Sequence, residues 1–101
     1  MNNLTIDLSL RNIVLYTGCS VEEVAGRANL ITPPEEAANI IGKNINNYIS
    51  SLDRRDLESV TLTGAMAVWA YLVVFHAVVH AFREIWYDDG RNSPVLLAKH
   101  G

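Results

Sequence analysis

The chain has 101 residues, half of them hydrophobic, and a formal net charge of −3. This length suits one domain with a real core, so residues 1–101 are predicted to form a single domain. The negative balance excludes the broad basic field that holds duplex DNA by counterion release, but a few local donors can still bind a small anionic ligand. The lone Cys19 cannot form an intrachain disulfide and Met1-Asn2-Asn3 does not resemble a signal peptide, so a reducing cytoplasm is expected.

Strand signals open the chain. Residues 4–10 alternate apolar and polar side chains, the period of a half-buried strand, and residues 12–16 form a short apolar run that allows a second strand after a bend. Ser20 and Glu23 have the spacing of a capping box, which predicts a short helical turn that Gly26 ends.

A longer helix is predicted next. The run Thr32-Pro33-Pro34-Glu35 combines a capping hydroxyl, proline in the first turn and an early acidic residue, all of which favour a helix start. Apolar residues then recur at three- and four-residue steps up to Leu52, so we expect an amphipathic surface helix.

The second half predicts three strands and one apolar helix. Residues 59–63 form a β-branched strand that ends at Gly64, residues 65–82 form an apolar run, and residues 84–87 and 95–98 read as strands around an Asp-Gly turn. The predicted fold is α/β or α+β, a small mixed sheet with two main helices in the order β-(β)-α-β-α-β-β, ending in an antiparallel hairpin.

The apolar run 65–82 has the length of a short membrane span. Two histidines near one end would be costly in lipid, and Trp69 and Tyr71 lie inside the run rather than in belts at both ends. We therefore expect a helix buried by the sheet and by a partner subunit, with no membrane contact.

In sheets with parallel strands, ligands gather where loops lead from strand ends into helices. Two such loops are predicted, one with Thr17, Gly18 and Ser20 and one with Thr63 and Gly64. Each could offer backbone N–H groups and a hydroxyl to a phosphate, although one glycine after a strand is equally what a tight turn needs.

His76 and His80 are four residues apart, so a helix places them on one face. They could be neutral, hydrogen-bonded structural residues, or they could serve as transition-metal ligands or an acid–base pair. Further ligands would have to come from elsewhere, and Asp88, Asp89 and His100 are the candidates. The aspartates are equally typical of a turn beside Gly90.

Several of these residues together resemble a known family. The resemblance rests on the order and spacing of Gly64, Trp69, His76-x-x-x-His80, Tyr87-Asp88, Arg91 and a last strand ending in His100. The resemblance is to the smallest CRISPR-associated ring nucleases, which are ferredoxin-like accessory proteins of type III systems first described as manganese-dependent RNA deadenylases. The resemblance covers residues 59–100.

The resemblance implies an enzyme that binds cyclic oligoadenylate, with cyclic tetra-adenylate the favoured ring, between subunits of a homodimer or higher oligomer and cuts it. It implies His80 as base or metal ligand, Asp88 as metal ligand or orienter of His80, and Arg91 as phosphate clamp. His100 would be the second acid–base group. A Mn²⁺ ion held by His80 and Asp88 and a metal-independent reaction both stay open, because this chain lacks the proline of the family's Tyr-Asp-Pro-Arg turn and has its arginine one place later. A non-catalytic module that senses or sequesters the same ring is the alternative.

Overall fold

The computed structural model describes residues 3–100. Its strands are β1 (Asn3–Asp7), β2 (Val21–Val24), β3 (Arg27–Leu30), β4 (Ser59–Thr63), β5 (Glu84–Asp88) and β6 (Val95–Lys99). Its helices are α1 (Pro34–Ser50) and α2 (Val68–Val79), with a 3₁₀ turn at Arg54–Leu57. The predicted small α/β fold with two helices and a terminal antiparallel hairpin is confirmed.

The main sheet has the strand order β1-β4-β5-β6. Strands β1, β4 and β5 are parallel, and β6 pairs antiparallel with β5. Helix α1 lies in the connection from β1 to β4, and α2 connects β4 to β5, so each crossover joins neighbouring strands. The ferredoxin-like topology that the resemblance implies is a split βαβ arrangement, in which parallel strands leave room for another strand between them. The sheet seen here differs from it in this respect.

Both helices cover the same face of the sheet. In α1 the buried residues Ala37, Ile41 and Ile45 recur every four residues, and in α2 the buried residues do the same. They form one core with the inward-facing residues of the strands. The strand register pairs Ile6 with Leu62 and Val60 with Ile85, so these side chains lie on the same face of the sheet. The buried apolar residues of that core are Ile6, Leu8, Leu15, Tyr16, Ala37, Ile41, Ile45, Val60, Leu62, Val74, Val78, Phe82 and Ile85.

The segment between β1 and α1 differs from expectation. Residues 12–16 form turns instead of a strand, because Asn12 caps them locally: its side chain accepts from Leu15 N at 3.2 Å and its carbonyl accepts from Tyr16 N at 3.3 Å. The helical turn predicted at residues 20–23 is wrong, since β2 and β3 form an antiparallel hairpin there. Ala25 and Gly26 both have positive φ, at 54° and 78°, which suits the tight turn of a two-residue hairpin.

Helix α2 is shorter than the apolar run that predicted it. It comprises 12 residues and ends at Val79, with His80 as its C-cap. Among residues 3–100, no helix is both long and apolar enough to cross a membrane.

Candidate functional site

The parallel strands divide the candidate residues between two ends of the molecule. Helix α2 leaves the carboxyl end of β4 and returns to the amino end of β5, so its C-terminus lies at the amino end of the sheet. Strand β5 then runs back from Glu84 to Asp88, four steps that span ~13 Å. His80 and His100 therefore lie at the amino end, while Asp88 and Arg91 lie at the carboxyl end.

A cleft of about 340 Å³ lies where β1 and β4 end, at the carboxyl end of the sheet. We call it the carboxyl-edge cleft, and its lining comprises Asp7, Ser9, Arg11, Thr63, Gly64 and Ala65. The loops after two neighbouring parallel strands meet there, which is where open α/β sheets bind ligands.

The loop after β1 is held in shape by Asp7. One carboxylate oxygen accepts from Ser9 N at 2.8 Å, and the other accepts from Ser9 Oγ at 3.0 Å. Asn12 donates its side-chain amide to the Asp7 carbonyl at 2.7 Å, and Leu8 N donates to Thr63 O at 2.7 Å. The aspartate is therefore used to shape the loop, and the exposed Arg11 is the cationic side chain in the lining of the cleft.

Gly64 allows the two loops to approach this closely. Its φ is +104°, and a Cβ there would lie 2.8 Å from Ser9 N and press against Asp7 Oδ1. Only glycine accepts such a φ without strain. The predicted role of Gly64 as the turn after β4 is consistent with this geometry, and its lack of a side chain also keeps the cleft open.

Tyr71 supports this turn from α2. Its hydroxyl donates to the Gly64 carbonyl, and its ring packs edge-on against Tyr87 with centroids 5.4 Å apart. Burial raises the pKa of Tyr71 to about 12, with smaller contributions from Tyr87 and Asp7. The phenol is therefore a neutral donor at physiological pH.

The turn after β5 continues the same edge. Thr63 Oγ1 donates to the Asp88 carbonyl at 2.9 Å, which joins the ends of β4 and β5. The Asp88 carboxylate accepts from Gly90 N at 2.8 Å, and the Asp89 carboxylate accepts from the backbone N–H groups of Arg91 and Asn92. These two backbone hydrogen bonds lower the pKa of Asp89. The turn-residue interpretation of both aspartates thus has direct geometric support, and Arg91 itself is exposed.

The histidines gather at the other end. The rings of His76 and His80 are edge to face with centroids 5.1 Å apart, and they line an open groove of about 460 Å³ with Gly42 and Asn46 of α1. His100 Nε2 lies 2.8 Å from the carbonyl oxygen of Val79, the residue before His80. All three imidazoles are exposed.

The separation of the two ends bears on the expected metal site. His80 and Asp88 do not meet within one chain, so they cannot share a Mn²⁺ ion there, and Asp88 cannot orient His80 of the same chain. Among residues 3–100, no group of three or more His, Cys, Asp or Glu side chains is arranged to hold a metal ion. The described residues of one chain therefore do not fit the manganese that the resemblance implies.

The loop with Thr17, Gly18 and Ser20 does not lie at the end of β1. It packs against α1, where Asn44 donates to the carbonyls of Leu15 and Thr17, both at 2.8 Å, and a Cβ on Gly18 would lie 3.4 Å from Ile40. The Thr17 hydroxyl donates to the Ile13 carbonyl at 2.8 Å. The loop was predicted at a strand end because the apolar pattern suggested strand up to residue 16. In the structure β1 ends at Asp7.

The residues that do form the loop after β1, Asp7, Ser9 and Arg11, were not predicted. A usable signal was present, since Asp7-Leu8-Ser9 has the Asx-turn spacing that lets a carboxylate accept from a backbone N–H two residues on. In comparisons with known proteins, no family model, no curated protein and no solved structure matches this chain.

Proposed function

We propose that this protein is a ring nuclease, a phosphodiesterase that binds and cleaves cyclic oligoadenylate, with cyclic tetra-adenylate as its preferred ring, and so switches off type III CRISPR signalling. The observation that carries the proposal is that His80 and His100, far apart in the sequence, come to one end of α2 with exposed rings. General acid–base cleavage of RNA needs one group that takes a proton and one that gives a proton, and two imidazoles can fill these roles.

The contact of His100 sets the tautomer of its neutral ring. The Val79 carbonyl can only accept a hydrogen bond, so Nε2 of His100 carries the proton and the lone pair of the neutral ring is on Nδ1. This nitrogen is free to take a proton from a ribose 2′-hydroxyl. His80, one residue beyond the same carbonyl, is then the acid.

The reaction follows from RNA's own nucleophile. The 2′-oxygen loses its proton to His100, attacks the adjacent phosphorus and displaces the 5′-oxygen, which takes a proton from His80. The products are a 2′,3′-cyclic phosphate and a 5′-hydroxyl. Alignment of the attacking oxygen and positive charge on the phosphorane supply much of the rate in such a step.

The positive charge would come from a second copy of the chain. Arg91 and Arg11 lie at the carboxyl end, opposite the histidines, so in one subunit they cannot reach the phosphate that the histidines act on. A homo-oligomer in which the carboxyl end of one subunit faces the amino end of the next brings the arginines and histidines to the same ring. A cyclic ligand with repeated phosphates suits such repeated contacts.

A non-catalytic sensor or sequestering module is the second candidate. It is favoured by the self-contained carboxyl-edge cleft, which needs no histidine to bind a phosphate. This module would bind the ring and protect it from cleavage.

The test is to incubate the purified protein with cyclic tetra-adenylate and cyclic hexa-adenylate, with Mn²⁺ and with a chelator, and to separate the products by liquid chromatography. We expect linear products with 2′,3′-cyclic phosphate ends. His80→Ala and His100→Ala should each lower the cleavage rate at least ~100-fold, since general acid–base groups contribute about that much or more.

Cys19→Ser is the control variant. It changes the half-buried thiol near Thr32 and should cleave at nearly the normal rate. His76→Ala removes the ring that packs edge-on against His80, so it should lower the cleavage rate less than His80→Ala does. An intact ring that co-elutes with the protein would establish the sensor, and an intact ring that does not bind would refute both candidates.

A further inference from the structure

Among residues 3–100, the main sheet has two outer strands, β1 and β6, each with one free edge. A free edge carries unpaired N–H and C=O groups that pair with another extended chain unless a bulge or a charge protects it. β6 has such protection, because its register with β5 skips Leu97, which forms a bulge. β1 has no bulge, since its pairing with β4 runs in continuous register from Asn3 to Asp7.

The register of β1 determines which of its backbone groups are free. Leu8 N donates to Thr63 O of β4, and the backbone groups of successive residues in a strand point to opposite edges. Asp7 and Thr5 therefore direct their N–H and C=O groups away from β4. The Asp7 carbonyl agrees with this direction, because it accepts from the Asn12 side chain at 2.7 Å. Thr5 is exposed, and no other described residue hydrogen-bonds to its backbone.

An apolar pocket of about 280 Å³ lies beside this edge, and we call it the β1-edge pocket. It lies between Ile6 of β1, Ile45 and Tyr48 of α1, and Val14 and Leu15 of the intervening turns. Val14 is 65% exposed and so forms part of the rim. No charged side chain lines the pocket among the described residues, so an apolar side chain can enter it without leaving a charge unpaired.

The free backbone groups and the pocket are adjacent, because Thr5 also lines the pocket. In an antiparallel pair, a residue directly opposite Thr5 can exchange both N–H···O hydrogen bonds with it. The next residue of the added strand lies opposite Ile6 and turns its side chain to the same face of the sheet as Ile6. That face is the side on which the pocket opens.

We propose that the free edge of β1 and the β1-edge pocket bind an extended peptide as an antiparallel fifth strand of the main sheet. The N–H and C=O groups of Thr5 bind the peptide backbone, and the pocket selects a peptide with an apolar side chain at the neighbouring position. The site shares no lining residue with the carboxyl-edge cleft or with the histidine groove. It does not depend on the proposed nuclease function.

A synthetic peptide tests this inference. The probe is the heptapeptide Lys-Thr-Leu-Thr-Leu-Thr-Lys, acetylated and amidated at its ends, whose leucines lie on one side of an extended strand. The amide resonances of the isotopically labelled protein are followed by NMR during titration. We expect a saturable shift of the Thr5 amide and slower hydrogen exchange there, because its N–H becomes a hydrogen-bond donor within the sheet.

Two altered peptides separate the backbone contacts from the side-chain contacts. N-methylation of the three threonines removes the N–H donors that face β1, so it should weaken binding at least about tenfold. Replacing both leucines with serine keeps the backbone donors but leaves the pocket unfilled, so it should also weaken binding at least about tenfold.

Protein variants test the same two contacts. Thr5→Pro removes the free N–H, and proline is tolerated on an edge strand where the N–H faces solvent, so this variant should fold and bind the probe at least about fivefold more weakly. Val14→Glu places a charge at the rim of the pocket and should weaken binding at least about tenfold. The matched variant Val24→Glu changes an exposed valine of β2 and should bind normally. Circular dichroism confirms that each variant is folded.

The outcomes separate this inference from the proposed function. Binding of the probe at Thr5 without cleavage of cyclic tetra-adenylate would support the peptide site and refute the nuclease. No saturable Thr5 shift at millimolar probe, or equal binding of the N-methylated peptide, would overturn the peptide site whatever the cleavage assay gives. Slow exchange of the Thr5 amide that depends on protein concentration without any peptide would assign the edge to a second copy of the chain and would also overturn the proposal.

Discussion

Replacing Gly64 with alanine should destabilise the fold and disrupt the carboxyl-edge cleft together. At φ +104° an alanine carries backbone strain of ~1–3 kcal/mol. Its Cβ would also lie 2.8 Å from Ser9 N and 3.0 Å from Leu8 N, so the loop after β1 must move. That movement would weaken or break the hydrogen bond from Leu8 N to Thr63 O, which contributes ~0.5–1.5 kcal/mol to the stability of the fold.

The sum is a loss of about 2–4 kcal/mol in the free energy of unfolding, a large part of the ~5–15 kcal/mol typical of a domain. Urea unfolding followed by tryptophan fluorescence measures it, and a melting temperature lowered by at least ~10 °C should accompany it.

Two other glycines are matched controls for Gly64→Ala. Gly90 also has a positive φ, +81°, but a Cβ there would meet no atom of the described residues within 4 Å, so Gly90→Ala should cost only ~1 kcal/mol. Gly42 lies within α1, and a Cβ there would sit 3.7 Å from Val73, so Gly42→Ala should stabilise by ~0.5–1 kcal/mol. A Gly64→Ala variant that loses no more stability than Gly90→Ala would refute the close approach of the two loops.

Three further predictions concern the same framework. The pKa of Tyr71 is raised from 10.0 to about 12, so its contribution to stability is complete below pH 10 and is lost as the pH rises towards 12; Tyr71→Phe should lessen that alkaline loss in pH-dependent urea unfolding. Asn44→Ala removes two 2.8 Å hydrogen bonds to the loop before β2 and should lower the free energy of unfolding by ~1–3 kcal/mol in the same assay. An unchanged free energy of unfolding would show that the loop keeps its conformation without Asn44. Under the proposed function, Arg11→Gln should weaken binding of cyclic tetra-adenylate at least about tenfold in calorimetry with unchanged thermal stability. An unchanged affinity would remove Arg11 from the proposed ligand site.

The local elements of this protein were predictable because their signals are local. Strand β4 runs from Ser59 to Thr63 as its β-branched pattern predicts, and α1 begins at Pro34 within the predicted start signal. The pair His76 and His80 shares a helical face, as a four-residue spacing requires.

The segment between β1 and α1 was mispredicted for a physical reason. The apolar residues 12–16 fit a strand by composition, but Leu15 and Tyr16 reach the core from turns. The Ser20-x-x-Glu23 spacing fits a helix cap, but the backbone carbonyl of Ser20 accepts from Ile31 N at 2.8 Å and closes a hairpin. Short patterns of this kind have two local solutions, and tertiary packing selects between them.

The sequence by itself determined the fold class, both helices, the strands of the second half and the residue types available for chemistry. Only the tertiary structure decided which of those residues meet. Parallel strands joined by helices send His80 to one end of the sheet and Asp88 to the other, and they bring Gly64 against Asp7 across 57 residues of chain. Such meetings depend on strand order and register, which arise from long-range pairing and leave no periodic signal in the chain.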